Sequence, residues 1–189
     1  MADCERGRDE DMTHRTPSST IRRLTPDDAE ALVSLRREAL LAEPLAFAAS
    51  PADDRGASLE LVGTMLGDVD EHAVFGHFGQ NELTGMVGIL RAAKRKHRHK
   101  ADVWGMYVAP CDRARGIGRA LLDAAIDHAR GWQDVDQLHL SVSSTAHAAA
   151  RLYERARFRS WGREPRALRW EGTVVDEDHL VLMLGTGEP

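Results

Sequence analysis

The stretch CDRARGIGRALL, residues Cys111 to Leu122, sets two glycines and three arginines directly ahead of an apolar helical pattern. The strand-like ADVWGMYV (Ala101 to Val108) precedes it and Pro110 closes that strand. Leu121, Leu122, Ala125, Ile126 and Ala129 then recur at helical spacing, to about Trp132. A strand, a glycine turn and a helix make an anion site. The first helical N–H groups lack intrahelical partners, and the helix dipole places roughly half a positive charge there. Glycine omits the Cβ that would hold an oxygen away from the backbone, and Arg113, Arg115 and Arg119 add cationic donors. A pyrophosphate is the natural occupant. Taken alone, the pattern reads equally as a surface turn whose glycines only supply positive φ.

Two common phosphate loops do not fit. No Lys-Ser/Thr pair follows the glycines, as a Walker loop requires. The third glycine of a dinucleotide fingerprint is replaced by Leu121, on a turn past the middle of the chain rather than on an early strand. What stands is R-x-x-G-x-G, Arg113 to Gly118.

Working outward, Ile21 to Leu24 reads as a short strand. TPDDAEALVSLRREALL begins a helix, with Thr25 as cap, Pro26 at the first helical position and Asp27 and Asp28 at the positive end. A second helix is expected around Ser58 to Leu66. His72–Phe78 and Leu83–Arg91 form a hairpin around GQNE. Gln137 to Val142 is a strand reached through a helical crossover, hence parallel to its predecessor. AHAAARLYERARF carries a short helix, and ALRWEGTVVDEDHLVLML two strands joined near Glu171–Gly172. Residues 1–20 are polar and aperiodic and read as a disordered tail before one domain over 21–186.

The 189 residues, 42% hydrophobic and 29% charged, describe a globular domain. A net charge of −5 argues against a dedicated nucleic-acid binder. No signal peptide and no apolar run long enough for a bilayer is evident, so a cytoplasmic protein without a membrane partner is expected. Cys4 and Cys111 suggest no disulfide framework and are expected as reduced thiols.

MYVAPCDRARGIGRALLDAAIDHA resembles the acetyl-CoA-binding core of the GNAT superfamily of N-acetyltransferases, and LHLSV…LYERARF resembles the strand and helix that follow it there. A looser likeness runs from Ile21 to Leu184 and includes the early EPLAF segment. The resemblance implies a single α/β domain, with a mixed, mostly antiparallel central sheet and helices on both faces. It implies acetyl-CoA as cosubstrate and a small-molecule or peptide amine as acceptor, acetylated by direct attack in a ternary complex. It further implies that the backbone of Arg113, Ala114, Arg115, Gly116, Ile117, Gly118 and Arg119 cradles the CoA pyrophosphate. Met106, Tyr107 and Val108 would meet the pantetheine arm as a neighbouring strand would. A homodimer is compatible with such folds, though no sequence feature argues for one.

Acetyl transfer to an amine needs a proton acceptor, oxyanion donors and a proton for the departing thiolate. An amine of pKa ~10.4 is neutral in only about one molecule in 2,500 at pH 7, a deficit of about 4.6 kcal/mol. A positioned base eases this, and a backbone N–H near Met106 to Val108 can serve the oxyanion. Asp102 falls where some family members carry a glutamate base; the alternative is a solvent-facing carboxylate beside Lys100 and Arg98. His139 is the second base candidate, because strand alternation puts it on one face with Ser141. Tyr153 matches the family's general acid; the alternative is core packing beside Leu152.

Two residues depart from the family pattern. Ala146 stands where an asparagine often contacts pantetheine, a loss of about 1 kcal/mol. Arg157 replaces a glycine before phenylalanine, so the end of that helix is expected to differ. These departures motivate the alternative of a catalytically impaired CoA-binding or interaction module. The basic run Arg91 to Lys100 lacks interleaved aromatics and reads as a solvated loop, not a nucleic-acid site. His97 and His99 lack clustered acidic or cysteine partners, and no metal is expected. Asp176 to His179, DEDH, reads first as an exposed turn and second as a recognition element for a cationic amine.

Overall fold

The computed structural model describes residues 19–185. Strand β1 (Thr20–Arg23) leads into a helical turn at Pro26–Asp28 and helix α1 (Ala29–Ala42). Asp28 closes this entrance: its carboxylate accepts from the Thr25 backbone N–H at 2.8 Å and from both terminal nitrogens of Arg22 at 2.7 Å. These bonds hold the carboxyl well below its usual range, at about 2. Thr20, read as the end of the tail, is the first residue of the sheet, and residues 1–18 of that tail lie outside the described residues. Helix α2 (Leu59–Gly67) follows, with the Ser58 hydroxyl accepting from Leu61 N–H at 3.3 Å.

Strands β2 (His72–Gly79) and β3 (Glu82–Arg91) form the expected hairpin. Gln80 (φ 53) and Asn81 (φ 69) make its turn left-handed, the conformation a two-residue hairpin demands. Strand β4 (Lys100–Val108) continues the antiparallel sheet, helix α3 (Ile117–Arg130) crosses over, and β5 (Gln137–Ser143) returns parallel to β4. Helix α4 (His147–Arg155) and the hairpin of β6 (Arg159–Trp170) and β7 (Thr173–Met183) complete the chain. The order across the sheet is β1-β2-β3-β4-β5-β7-β6, with a single parallel pair.

Two cores sandwich the sheet. On one face α1 and α2 bury Leu32, Leu35, Val62 and Leu66 against Val74, Met86 and Tyr107. On the other, Leu121, Leu122, Ala125 and Ala129 of α3, with Tyr153 of α4, pack on Val87, Val103, Leu138 and Leu140. The odd-even alternation of β4 and β5 therefore sends Val103, Leu138 and Leu140 to the α3 face and Asp102, His139 and Ser141 to the other.

Three details differ from the sequence reading. Strand β6 begins well before Ala167 and runs across Pro165, which an edge strand tolerates at its bulge between Glu164 and Leu168. Asp176 to His179 lie inside β7 rather than in a turn. Cys111 is disulfide-bonded, against the expectation of reduced thiols. Among the described residues no helix is long and apolar enough to cross a membrane.

Candidate active site

The central feature is a gap between parallel neighbours. Strands β4 and β5 pair only through Lys100, Ala101 and Asp102 with Gln137, Leu138 and His139. Beyond Asp102 the two strands part. Gly105, with φ 65, produces the bulge that shifts the β3–β4 register between Met86 and Gly88. A bulge bends its strand and re-aims the residues after it, so Met106 to Val108 leave the line of β5.

Three cavities meet along this gap. The first is a groove of about 500 Å³ beyond the open ends of the strands, walled by Met106, Tyr107 and Val108, by Arg113, Ala114, Gly116, Ile117 and Gly118, and by Thr145 to Ala149. Phe47, in the EPLAF segment, closes its outer side. The second is a small chamber within the splay, lined by Val103 to Met106, Ser141 to Ser143 and Tyr153. The third is a polar pocket of about 410 Å³ on the α1/α2 side, lined among others by His97, Lys100, Asp102, His139, Ser141, Trp161 and His179. The groove and the chamber share Ala46, Phe47, Met106, Ala146 and Ala149, and the chamber and the polar pocket share Val103 and Ser141.

The glycine turn forms the floor of the groove. Ala114 (φ 61) and Gly116 (φ 80) are both left-handed, and Gly116 caps α3. The Arg113 N–H bonds the Pro110 carbonyl and the Ala120 N–H bonds the Gly116 carbonyl. The six backbone N–H groups between them, 114 to 119, find no acceptor among the described residues. Unpaired donors converging at a helix N-terminus, beside an apolar wall of Val108, Ile117 and Leu152, suit a pyrophosphate carrying a long, mostly apolar arm. The arginines divide their roles. Arg113 is fixed in place, its Nε donating to the Val108 carbonyl at 2.9 Å and its terminal nitrogen to Glu43 at 2.9 Å, with the guanidinium over the Tyr107 ring. Arg115 is drawn to Asp112 at 2.6 Å and Arg119 to Asp123 at 2.8 Å; neither lines the groove.

Tyr153 lies deep in the chamber, 6% exposed, with its ring edge-on to Phe158 at 5.8 Å. Burial pushes its phenol up to about 12, so it holds its proton at neutral pH. Asp102 and His139 face each other in the last paired rung before the strands part. Burial raises the Asp102 carboxyl, while burial and then Lys100 lower the His139 imidazole, leaving that ring neutral at pH 7. The Nε2 of His139 is 3.1 Å from Gln137 Oε1. Asp102, His139 and Tyr153 thus surround one gap, the first two at its closed end.

Ala146 stands at the start of α4 in the groove wall and carries no amide; the neighbouring Thr145 hydroxyl is spent on Ser143 at 3.0 Å. Arg157 does not alter the helix end as expected. It takes φ 71 itself, and the Phe158 N–H closes back on the Tyr153 carbonyl at 3.0 Å.

The family model of the GNAT acetyltransferases matches residues 32–158, which holds the splay, the glycine turn and α4. The chain belongs to the GNAT acetyltransferase family. It is therefore an acetyltransferase that draws on acetyl-CoA. Solved structures share its fold. A GNAT-family acetyltransferase from Streptococcus pneumoniae is 22% identical, with 89% of this chain and 100% of that one covered and a TM-score of 0.77. A putative acetyltransferase from Salmonella typhimurium, solved with its cofactor acetyl-CoA, is 21% identical over 91% and 97% of the two chains, with a TM-score of 0.79. NAA60 of Arabidopsis thaliana, in complex with a bisubstrate analogue, is 19% identical over 88% and 98%, with a TM-score of 0.69. No curated protein sequence matches the chain.

For this acetyltransferase, sequence reasoning missed one set of polar groups. The Ser141 hydroxyl lies 2.9 Å from His179 Nδ1, and His179 Nε2 lies 3.2 Å from Glu164 Oε2. Trp161 stacks on the same imidazole, centroids 5.4 Å apart. Ser141 and His179 are register partners across β5–β7, 38 residues apart in the chain. The sequence showed the shared face of His139 and Ser141, and His179 as part of the DEDH stretch read second as a recognition element for a cationic amine, but not their contact.

Proposed function

We propose that this acetyltransferase N-acetylates a primary amine by direct attack in a ternary complex, in the cytoplasm. The observation that carries the reading is the continuity of groove, chamber and polar pocket through shared walls, which lets two ligands approach one gap from opposite sides. Among the described residues no cysteine lines these cavities, which favours direct transfer over a cysteine-bound intermediate.

In this reading the free N–H groups of 114 to 119 receive the pyrophosphate of acetyl-CoA, and β4 from Met106 to Val108 holds the pantetheine arm. Freed from β5, the same strand offers backbone donors to the oxyanion. Tyr153 supplies the proton that the departing sulfur takes up. Asp102 and His139 keep the floor of the polar pocket able to hold a proton. The alternative, a CoA-binding module without turnover, keeps Ala146 as its one ground, since the α4 end retains its turn at Arg157.

Calorimetric titration with acetyl-CoA tests the reading, on the wild type and on Gly116→Glu, followed by a panel of amino acids, dipeptides and polyamines. The variant places a carboxylate and a strained φ at the anion cradle and is expected to weaken binding at least ~10-fold. Equal binding by both proteins removes the cradle assignment. Tight binding without acetylation of any amine favours the module.

A further inference from the structure

The splay chamber and the polar pocket are joined through two residues, the apolar Val103 and the polar Ser141. Asp102 and His139 sit one rung lower, where β4 and β5 are still paired. Ser141 is the next residue on the same strand face and the first polar side chain past the fork. An amine attacking in the chamber therefore meets the Ser141 hydroxyl before either earlier base candidate.

A hydroxyl alone is too weak a base to hold an ammonium proton, but Ser141 is backed by a second group. Its Oγ lies 2.9 Å from His179 Nδ1. The other ring nitrogen faces the Glu164 carboxylate at 3.2 Å, which can only accept, so Nε2 carries the ring proton and the Nδ1 lone pair points at Ser141. Trp161 packs at 5.4 Å, tilted 34°, and limits rotation of the ring. Glu177 lies two residues away on the same strand face, and Asp178, on the opposite face by alternation, is ion-paired with Arg163 at 2.7 Å.

Resting on the transfer reading above, we propose that Ser141 and His179 form a proton relay from the acceptor ammonium, with Glu164 fixing the imidazole. One ammonium N–H bond breaks and its proton passes to Ser141 Oγ, while the serine's own proton passes to His179 Nδ1. The neutral amine then attacks the acetyl carbonyl, the carbon–sulfur bond breaks as the carbon–nitrogen bond forms, and the second amine proton is balanced by protonation of the CoA sulfur. The imidazolium, paired with Glu164, returns its proton to water. Ser141 touches the substrate; His179 and Glu164 act through it.

The full-length protein loaded with acetyl-CoA tests this in two ways. Imidazole proton–nitrogen correlation spectra of the wild type should show His179 protonated at Nε2, with Nδ1 accepting a hydrogen bond that Ser141→Ala removes. With the panel amine of highest kcat/KM, Ser141→Ala should lower kcat by about 100-fold or more and leave acetyl-CoA affinity within twofold. Ser141→Thr, which restores the hydroxyl, should recover most of the rate. The dependence of kcat on deuterium content should change from curved, with two protons in flight, to linear in Ser141→Ala. A His179 proton on Nδ1, a Ser141→Ala kcat within twofold of wild type, or an unchanged isotope dependence overturns the relay. Failure of acetyl-CoA to bind, or of every amine to be acetylated, strikes the transfer reading itself and the relay with it.

Discussion

Gly88 and Trp104 face each other across β3 and β4, and a methyl group at Gly88 would overlap the indole ring. The glycine is thus the bed on which Trp104 lies flat. Trp104 lines the splay chamber from the α1/α2 side, with the Arg36 guanidinium over its face. Gly88→Ala is an overpacking change and should cost about 1–3 kcal/mol. Urea unfolding reads this directly, and the melting temperature should fall by roughly 2–4 °C for each kcal/mol lost. Unchanged stability would mean that the indole has room to tilt.

Arg157 holds a left-handed backbone that glycine adopts without a Cβ clash. Arg157→Gly relieves about 1–2 kcal/mol of strain, against about 0.5–1 kcal/mol of added freedom in the unfolded chain. A net gain of about 0.5–1 kcal/mol is expected, seen as a higher urea midpoint at unchanged slope. A lower midpoint would show that the arginine side chain contributes more than its backbone costs.

What the sequence revealed and what it concealed divide along local and non-local chemistry. The cradle at Arg113 to Arg119 was legible because strand, glycines and helix are consecutive, and their unpaired N–H groups follow from helix geometry alone. The turn at Gln80 and Asn81 was legible for the same reason. The bulge at Gly105 was not, because its left-handed φ is set by register with β3 rather than by neighbours in the chain. Nor was the Ser141–His179–Glu164 chain, since it requires β5, β7 and β6 to lie side by side. The string DEDH looked like a turn because its charges carry no alternating apolar signal. In the sheet, Asp178 is matched to Arg163 and Asp176 accepts from the Arg166 N–H at 2.8 Å.

Alkaline stability should report the buried phenol. The folded protein holds Tyr153 at about 12, raised from an ordinary value near 10 by burial. A raised pKa favours the protonated form in the fold, so its contribution is complete below about pH 10 and is lost as pH rises towards 12. The loss amounts to about 2 kcal/mol by pH 11.5, at ~1.36 kcal/mol per unit. Tyr107 shifts in the same direction, through burial first and then Glu38, and adds to the effect. Urea unfolding at pH 9 and at pH 11.5 should therefore show a smaller drop in Tyr153→Phe than in the wild type. Equal drops would mean that the phenol ionises in the fold as readily as in water.

The same variant separates acid catalysis from packing. The Tyr153 hydroxyl has no hydrogen-bond acceptor among the described residues, while its ring packs on Phe158 and the α3 face. Removing the oxygen therefore breaks no hydrogen bond and leaves the ring in place, so stability at pH 7 should fall by less than the ~1 kcal/mol that a lost hydrogen bond costs. The departing CoA sulfur would lose its proton donor, and kcat should fall by about 100-fold or more. Acetyl-CoA affinity should hold within twofold, because the cradle at 114 to 119 is untouched. A kcat within twofold of wild type would reduce Tyr153 to a packing residue. A loss of affinity without loss of kcat would instead assign the phenol to holding the pantetheine arm.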